Sequence, residues 1–218
     1  MRQFILFCCL GSISLGCFAE PENLNTVKKR LINYHDSGAY EQEISLVTHN
    51  AKKYIKSVIK ANNRLAQPKK LAVVFDIDET VLSNYADMAA LSFGGTLDTI
   101  QARIGQGRAT AIAPTTQLYH FLQKNHITVF FVTGRPEHQR QVTATNLHKV
   151  GLIGYQHLYC KPAHIHPRSA AEFKIKARKN IEEQGYSIIA SIGDQRSDLQ
   201  GGHAARVFKL PNPYYYIP

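Results

Sequence analysis

Three short apolar runs constrain the fold of this chain more than any other feature. They are LAVVFD at 71–76, ITVFFVT at 127–133 and SIIASIGD at 187–194. Continuous runs of this length, rich in Val, Ile and Phe, are typical of β-strands buried on both faces of a parallel sheet. Each run ends in polar residues, at the edge where such a sheet forms its binding crevice.

Helical patterns separate these strand candidates. Apolar residues recur at helical spacing in 115–125, 137–150 and 170–184, and HLYC (157–160) and RVFKL (206–210) are further short strand candidates. A helix is also predicted over 40–64, where apolar residues share one face and lysines occupy the other. The alternation predicts an α/β fold, a doubly wound, mainly parallel sheet with N-terminal helices. The less regular stretch 83–114 is expected to be a small insert over the sheet edge.

The first 19 residues have the pattern of a secretory signal peptide. Arg2 precedes an apolar run from Phe4 to Leu15, and small residues up to Ala19 provide a cleavage site before Glu20. Two alternatives stay open for this segment, a buried strand or helix and a lipid anchor on Cys17. The expected location is therefore periplasmic or secreted, either as a free protein or as a lipoprotein.

Residues 20–218 are predicted to form a single domain. No other stretch of about 20 apolar residues is present, so no membrane span is expected. Cys160 is the only cysteine after residue 19, and it is predicted to be a buried free thiol. Many lysines lie in 52–70, and the formal net charge of the chain is +10. Tyr54 is the only aromatic residue among them, so nucleic acid is not an expected partner, whereas anionic substrates would be attracted.

The polar residues that follow the three apolar runs are expected to converge, because parallel strands end at the same sheet edge. They are Asp76, Asp78 and Thr80 after the first run, Thr133, Gly134 and Arg135 at the second, and Asp194, Arg196 and Asp198 at the third. A lysine from the helix 170–184 is also available, at Lys174 or Lys176.

Convergent carboxylates favour a hard divalent cation, and Mg²⁺ prefers oxygen ligands while retaining several waters. Asp76 and Asp78 are two residues apart, and a turn after the strand would give them different surroundings. One carboxylate would then attack phosphorus while the other carries protons. Thr133 and a lysine would hold the phosphoryl oxygens as charge develops. These residue types therefore indicate phosphoryl transfer.

The motifs resemble those of the haloacid dehalogenase superfamily, in particular its acid phosphatase subfamily, which includes bacterial class C acid phosphatases and plant vegetative storage proteins. The resemblance covers about 40–217 and is carried by FDIDETVLSN, VTGRPEHQRQVTATNL, EFKIKARKNIEEQGY, IGDQRSDLQGG and FKLPNPYYYI. It implies a Rossmann-like haloacid dehalogenase fold in which 83–114 is the only region available as a cap.

The resemblance also implies roles for individual residues. Asp76 matches the nucleophile that becomes an aspartyl-phosphate, and Asp78 matches the general acid and base. Thr133 and Lys174 match the phosphoryl-binding pair, with Gly134 beside them. Mg²⁺ would be held by the Asp76 side chain, the main-chain carbonyl of Asp78 and the Asp194 side chain, while Asp198 and Thr80 would support the site.

The expected function is that of an exported, Mg²⁺-dependent acid phosphatase acting on small phosphomonoesters, with nucleoside monophosphates among the candidate substrates. A non-catalytic storage or binding protein on the same scaffold is the alternative, and a receiver-like phosphoacceptor is a third. Tyr85, Asp87 and Arg135 are candidate substrate contacts, although Arg135 would equally suit an ion pair with a nearby acid. His164 and His166 are not expected to bind a metal, because no third ligand accompanies them.

Overall fold

The computed structural model describes residues 20–162 and 170–217, so the predicted signal peptide, Cys17, His164 and His166 lie outside the described residues. The strands, in chain order, are β1 (Lys70–Phe75), β2 (Leu82–Ser83), β3 (Thr110–Ala111), β4 (Thr128–Pro136), β5 (His157–Lys161), β6 (Tyr186–Gly193) and β7 (Val207–Lys209). The helices are α1 (Leu24–Asp36), α2 (Ala39–Asn62), α3 (Tyr85–Ala90), α4 (Leu97–Ile104), α5 (Ala113–Lys124), α6 (Arg140–Lys149) and α7 (Ala170–Glu183).

Five of these strands form one parallel sheet in the order β5-β4-β1-β6-β7. The side chains of β1 alternate between its two faces, as the pleat requires. Val73 and Phe75 join the larger hydrophobic cluster, to which α2 and α5 contribute. Ala72 and Val74 join a second cluster with Phe173 and other residues of α7. Helices therefore cover both faces, and the predicted α/β class and parallel sheet are confirmed.

The N-terminal helices supply much of the cover on one face. Helix α2 buries Tyr40, Ile44, Ala51 and Ile55 in the larger cluster. At its end, the Asn62 side chain accepts a hydrogen bond from the Lys69 N–H and donates one to the Lys69 carbonyl oxygen, at 2.9 and 3.1 Å. This pair of bonds closes the loop between α2 and β1 and sets where the central strand begins.

The stretch 83–114, predicted as a small insert, contains more regular structure than its sequence suggested. Helices α3 and α4 lie between β2 and β3, which pair antiparallel through Leu82 and Ala111. The Asp87 carboxylate joins the two ends of the insert, because it accepts from Arg103 at 3.1 Å and from Arg108 at 2.5 Å. Its side chain is only 15% exposed. None of the helices in 20–162 and 170–217 is both long enough and apolar enough to cross a membrane.

Asp87→Asn is expected to destabilise the fold in a pH-dependent way. The hydrogen bond from Arg108 lowers the pKa of Asp87. A carboxyl with a lowered folded-state pKa stabilises the fold above its unfolded-state pKa of about 3.9, and loses that effect as the pH falls. Urea unfolding should therefore show a loss of about 0.5–1 kcal/mol in the free energy of unfolding at pH 7. The loss should shrink towards zero as the pH falls below about 3.9.

The control is Asp98→Asn, since Asp98 is exposed in the same insert and forms no ion pair with the described side chains. Because Asp98 lies in the first turn of α4, where a carboxylate is favourable, the loss for Asp87→Asn should exceed the loss for this variant. Equal losses for Asp87→Asn at pH 7 and at acid pH would contradict the ion-pair interpretation.

Candidate active site

The carboxyl ends of the two central strands bring the first acidic residues together. Asp76 follows β1, and its backbone N–H donates to the Ile192 carbonyl oxygen of β6 at 3.0 Å. Asp194 follows β6 directly, and a short 3₁₀ turn then carries Asp198 back towards it. Carboxylate oxygens of Asp76, Asp194 and Asp198 lie within 4.8 Å of one another, and all three residues are buried. The predicted convergence at this sheet edge is therefore present for these three residues.

A buried lysine compensates part of this negative charge. Lys174 of α7 is 5% exposed, and its Nζ donates to Asp76 Oδ1 at 2.7 Å and also to Asp198 Oδ1. Lys176 is exposed, so the structure brings Lys174 and not Lys176 into the site. Burial alone would lower the pKa of Lys174, but the carboxylates of Asp198 and Asp76 outweigh it and raise the pKa. The lysine is therefore held as a cation.

One lysine does not neutralise three carboxylates. Burial, together with the charge of Asp198, raises the pKa of both Asp76 and Asp194 in spite of Lys174. Thr80 Oγ1 lies 3.2 Å from Asp194 Oδ1 and 3.4 Å from Asp76 Oδ2, so it bridges the two. The donor set is hard oxygen and carries excess negative charge, which fits a divalent cation such as Mg²⁺.

Asp198, like Asp76 and Asp194, has partners on both of its carboxylate oxygens. Lys174 occupies Asp198 Oδ1, and the Gln195 backbone N–H donates to Asp198 Oδ2 at 2.7 Å. Gly193 makes room for this carboxylate, because a Cβ at that position would collide with the Asp198 side chain. The glycine before Asp194 is thus required by close packing.

Asp78 has different surroundings from Asp76, because the chain turns after β1. Arg135 contacts both carboxylate oxygens of Asp78, with Nη2 at 2.7 Å from Oδ1 and Nε at 3.0 Å from Oδ2. Asn84 Nδ2 also donates to Asp78 Oδ1 at 2.7 Å. Burial would raise the pKa of Asp78, but the Arg135 ion pair and these hydrogen bonds lower it. The Asp78 side chain keeps 18% exposure, so it reaches the surface of the site.

The end of β4 contributes Thr133, Gly134 and Arg135. Thr133 is fully buried and its Oγ1 accepts from the Arg135 N–H at 3.1 Å. A Cβ added at Gly134 would meet no atom within 4 Å apart from those of its chain neighbours, so the space beside Gly134 is open. Arg135 is 2% exposed and forms the ion pair with Asp78, which was the alternative to a substrate contact.

The other two candidate substrate contacts lie in or beside the insert. The Tyr85 hydroxyl donates to Asp36 Oδ1 at 3.1 Å, and its ring stacks on His35 with centroids 3.3 Å apart. Asp87 is engaged with the arginines of the insert, as described above. Contact of Tyr85 and Asp87 with a substrate stays a prediction.

Four residues at the site were missed by the sequence reasoning: Glu79, Asn84, Gln195 and Asn212. Glu79 is fully buried, and burial together with Asp78 raises its pKa to about 8. Gln195 and Asn212 each donate to Asp194 Oδ2 at 2.6 Å. All four lie within the motif strings FDIDETVLSN, IGDQRSDLQGG and FKLPNPYYYI, so the signal was present in the strings, but polar residues without a known role gave no reason to select them.

Comparison with known proteins relates this geometry to a family. The family model described as HAD superfamily, subfamily IIIB (Acid phosphatase) matches residues 15–218. Acid phosphatase 1 of Solanum lycopersicum is 35% identical over 82% of this chain and 69% of its own length. A stem 31 kDa glycoprotein of Glycine max is 37% identical over 66% of this chain and 59% of its own length. Vegetative storage protein 1 of Arabidopsis thaliana is 35% identical over 66% and 55%, so this chain spans little more than half of those two relatives.

Among solved structures, the class C acid phosphatase of Bacillus anthracis has the same fold. Its TM-score is 0.71, with coverage of 87% of this chain and 86% of the other, at 18% sequence identity. That identity supports the fold alone. The family model and the plant relatives, with which this fold agrees, show that the chain belongs to subfamily IIIB of the HAD superfamily, the acid phosphatases.

Proposed function

We propose that this chain is an exported, Mg²⁺-dependent acid phosphatase that hydrolyses small phosphomonoesters through an aspartyl-phosphate on Asp76. The observation that carries the proposal is the Asp76 carboxylate itself, which is held by Lys174 at the ends of the central strands beside Asp194. The signal-like sequence of residues 1–19 supports export. Nucleoside monophosphates are among the candidate substrates.

In the first step, Asp76 attacks the phosphorus atom and the bond between phosphorus and the leaving oxygen breaks. Asp78 in its acid form gives its proton to that oxygen. In the second step, water attacks the phosphorus atom of the aspartyl-phosphate and loses a proton to Asp78. Inorganic phosphate leaves and the Asp76 carboxylate is restored. The acid form of Asp78 that the first step needs becomes more abundant as the medium becomes acidic, and Arg135, which lowers the pKa of Asp78, moves this protonation to lower pH.

The phosphoryl group would lie in the open space beside Gly134. Thr133 and Lys174 would hold its oxygens, and Lys174 already lies within 2.7 Å of the attacking carboxylate. Such fixed donors stabilise the charge that develops on these oxygens without having to reorganise during the reaction.

Mg²⁺ would be held by the Asp76 and Asp194 side chains and the main-chain carbonyl of Asp78. Its charge would neutralise part of the carboxylate cluster and of the substrate phosphate, so that an anionic substrate can approach an anionic nucleophile. Asp198 would support the site by holding Lys174 and accepting from the Gln195 N–H, which is the supporting role that the resemblance implies for it.

A storage protein on the same scaffold is the second candidate, because vegetative storage proteins are among the relatives. A storage role alone gives no reason for a buried lysine bonded to two buried carboxylates beside a third, which is a costly arrangement of charges. The intact cluster therefore favours turnover over storage.

Asp76→Asn should abolish turnover, because a neutral amide is a poor nucleophile. We expect kcat on p-nitrophenyl phosphate with Mg²⁺ to fall by about 10³-fold or more. Asp98→Asn is the matched control and should keep the wild-type rate, since Asp98 is an exposed residue of the insert. A wild-type rate for Asp76→Asn would show that the nucleophile is misassigned.

We expect turnover to depend on Mg²⁺ and the binding of Mg²⁺ to depend on Asp194. Treatment with EDTA should stop turnover and added Mg²⁺ should restore it. Calorimetric titration of the wild-type protein with Mg²⁺ alone should show binding, and Asp194→Asn should weaken it by about 100-fold or more, since loss of a residue that only supports a ligand already costs about 10–100-fold. Full activity in EDTA, or the same Mg²⁺ affinity in Asp194→Asn and Asp98→Asn, would argue against a metal at this cluster.

A further inference from the structure

The residues that follow β7, up to Ile217, lie against the carboxylate cluster. We refer to residues 210–217 as the C-terminal strap. Hydrogen bonds attach it to the rest of the chain. Two come from its backbone, where the Leu210 N–H donates to Gly193 O at 2.9 Å and the Ile217 N–H donates to Gln195 Oε1 at 3.0 Å. Two come from its side chains, where Asn212 Nδ2 donates to Asp194 Oδ2 and the Tyr215 hydroxyl donates to Glu79 Oε2, both at 2.6 Å. The strap therefore contacts both the Asp194 side and the Asp78 side of the site.

On the Asp78 side, the contacts form an unbroken series. The Tyr215 hydroxyl bonds to Glu79 Oε2, and the Asn84 backbone N–H donates to Glu79 Oε1 at 2.7 Å. Asn84 Nδ2 then donates to Asp78 Oδ1, also at 2.7 Å. Tyr215 is thus connected to the proposed general acid through two intervening side chains and does not touch it.

Glu79 can link the position of the Tyr215 hydroxyl to that of Asn84, because Glu79 itself has little conformational freedom. It is fully buried, its backbone has a φ of +51°, and its N–H donates to Leu82 O at 2.8 Å. A phenol hydroxyl can donate to a carboxylate and accept from a carboxyl group, so the contact with Tyr215 is compatible with either form of Glu79. Removing the hydroxyl would leave Glu79 Oε2 buried with only a 3.5 Å contact to Asn84 Nδ2.

Aromatic packing keeps the strap in place. The Tyr214 ring is buried, with centroids 5.5 Å from Tyr40, 5.5 Å from Tyr85 and 5.8 Å from Phe93. Tyr216, by contrast, is 69% exposed. Three consecutive tyrosines therefore have three different surroundings, and among them Tyr215 is the one whose hydroxyl bonds to Glu79.

We propose that Tyr215 is a positioning residue for the phosphoryl-transfer step, in which it fixes the orientation of Asp78 through Glu79 and Asn84. This inference rests on the proposed function, since it takes Asp78 to be the general acid. A displaced general acid matters most when the leaving oxygen is a strong base that must be protonated as it departs. It matters little for p-nitrophenolate, a weak base that departs without a proton.

The test compares Tyr215→Phe with Tyr216→Phe on ethyl phosphate and on p-nitrophenyl phosphate. The quantity measured is kcat/KM, because it reports the steps up to departure of the leaving group. It excludes hydrolysis of the aspartyl-phosphate, the second step, which is the same for both substrates. Tyr215→Phe should lose about tenfold in kcat/KM on ethyl phosphate, a part of the 10²–10⁴ that a positioned acid contributes. It should lose less than about twofold on p-nitrophenyl phosphate, and Tyr216→Phe should change neither value.

Equal losses on the two substrates, or none on either, would overturn the proposal, because a purely structural role does not depend on the leaving group. Asn84→Ala provides a second variant, and in the double variant the loss on ethyl phosphate should be no greater than for Asn84→Ala alone, as expected for residues acting in series. Independent, multiplying losses would also overturn it.

Asp78→Asn in the same assay distinguishes a failure of the Tyr215 positioning role from a failure of the proposed acid role of Asp78. If Asp78→Asn is selective for ethyl phosphate and Tyr215→Phe is not, the positioning role fails while the proposed function stands. If Asp78→Asn slows both substrates equally, the acid role of Asp78 fails, and the role of Tyr215 fails with it.

Discussion

A buried lysine between two buried carboxylates is the interaction on which the rest of this site depends. Lys174 reaches Asp76 from one side and Asp198 from the other, and none of the three is more than 5% exposed. Removing charges from water costs several kcal/mol for each ion, and close pairing offsets that cost only when the geometry is good. Lys174 therefore offsets part of the cost of burying these carboxylates, while the pKa of Asp76 still stays raised by burial and by Asp198.

Helix α7 and the loop after β6 hold Lys174 and Asp198 in place for this interaction. Helix α7 packs Phe173, Ala177 and Ile181 against the sheet, which directs Lys174 towards the strand ends. Arg178, one turn further on, donates to backbone carbonyl oxygens of the loop after β6, including Asp198 O at 2.9 Å. The loop that carries Asp198 is thus held by the same helix that supplies the lysine.

Much of this arrangement could be predicted from the sequence, because it follows from strand order. Asp76, Thr133 and Asp194 end buried parallel strands, and parallel strands must end at the same edge. Lys174 was distinguished from Lys176 only by resemblance to a family, and its burial in the structure agrees with that choice. These residues are positioned by the backbone, which the hydrophobic pattern largely determines.

The partners of the site side chains could not be predicted in the same way. Arg135 and Asp78 are 57 residues apart, and Tyr215 and Glu79 are 136 apart. Arg135 has several acids within its possible reach, and hydrophobic periodicity does not indicate which one it meets. The C-terminal strap has no regular pattern at all, so its attachment to the carboxylates becomes visible only when side-chain contacts are known.

Asp76 is proposed to be the group that takes the phosphoryl from the substrate. Acid quenching during turnover, followed by reduction of acyl-phosphates with borohydride and mass spectrometry of the peptides, tests this assignment. An aspartyl-phosphate is reduced to homoserine, so we predict homoserine at position 76 in the quenched enzyme and not in enzyme without substrate. Modification of another residue, or an unmodified Asp76 throughout turnover, would contradict the assignment of the nucleophile.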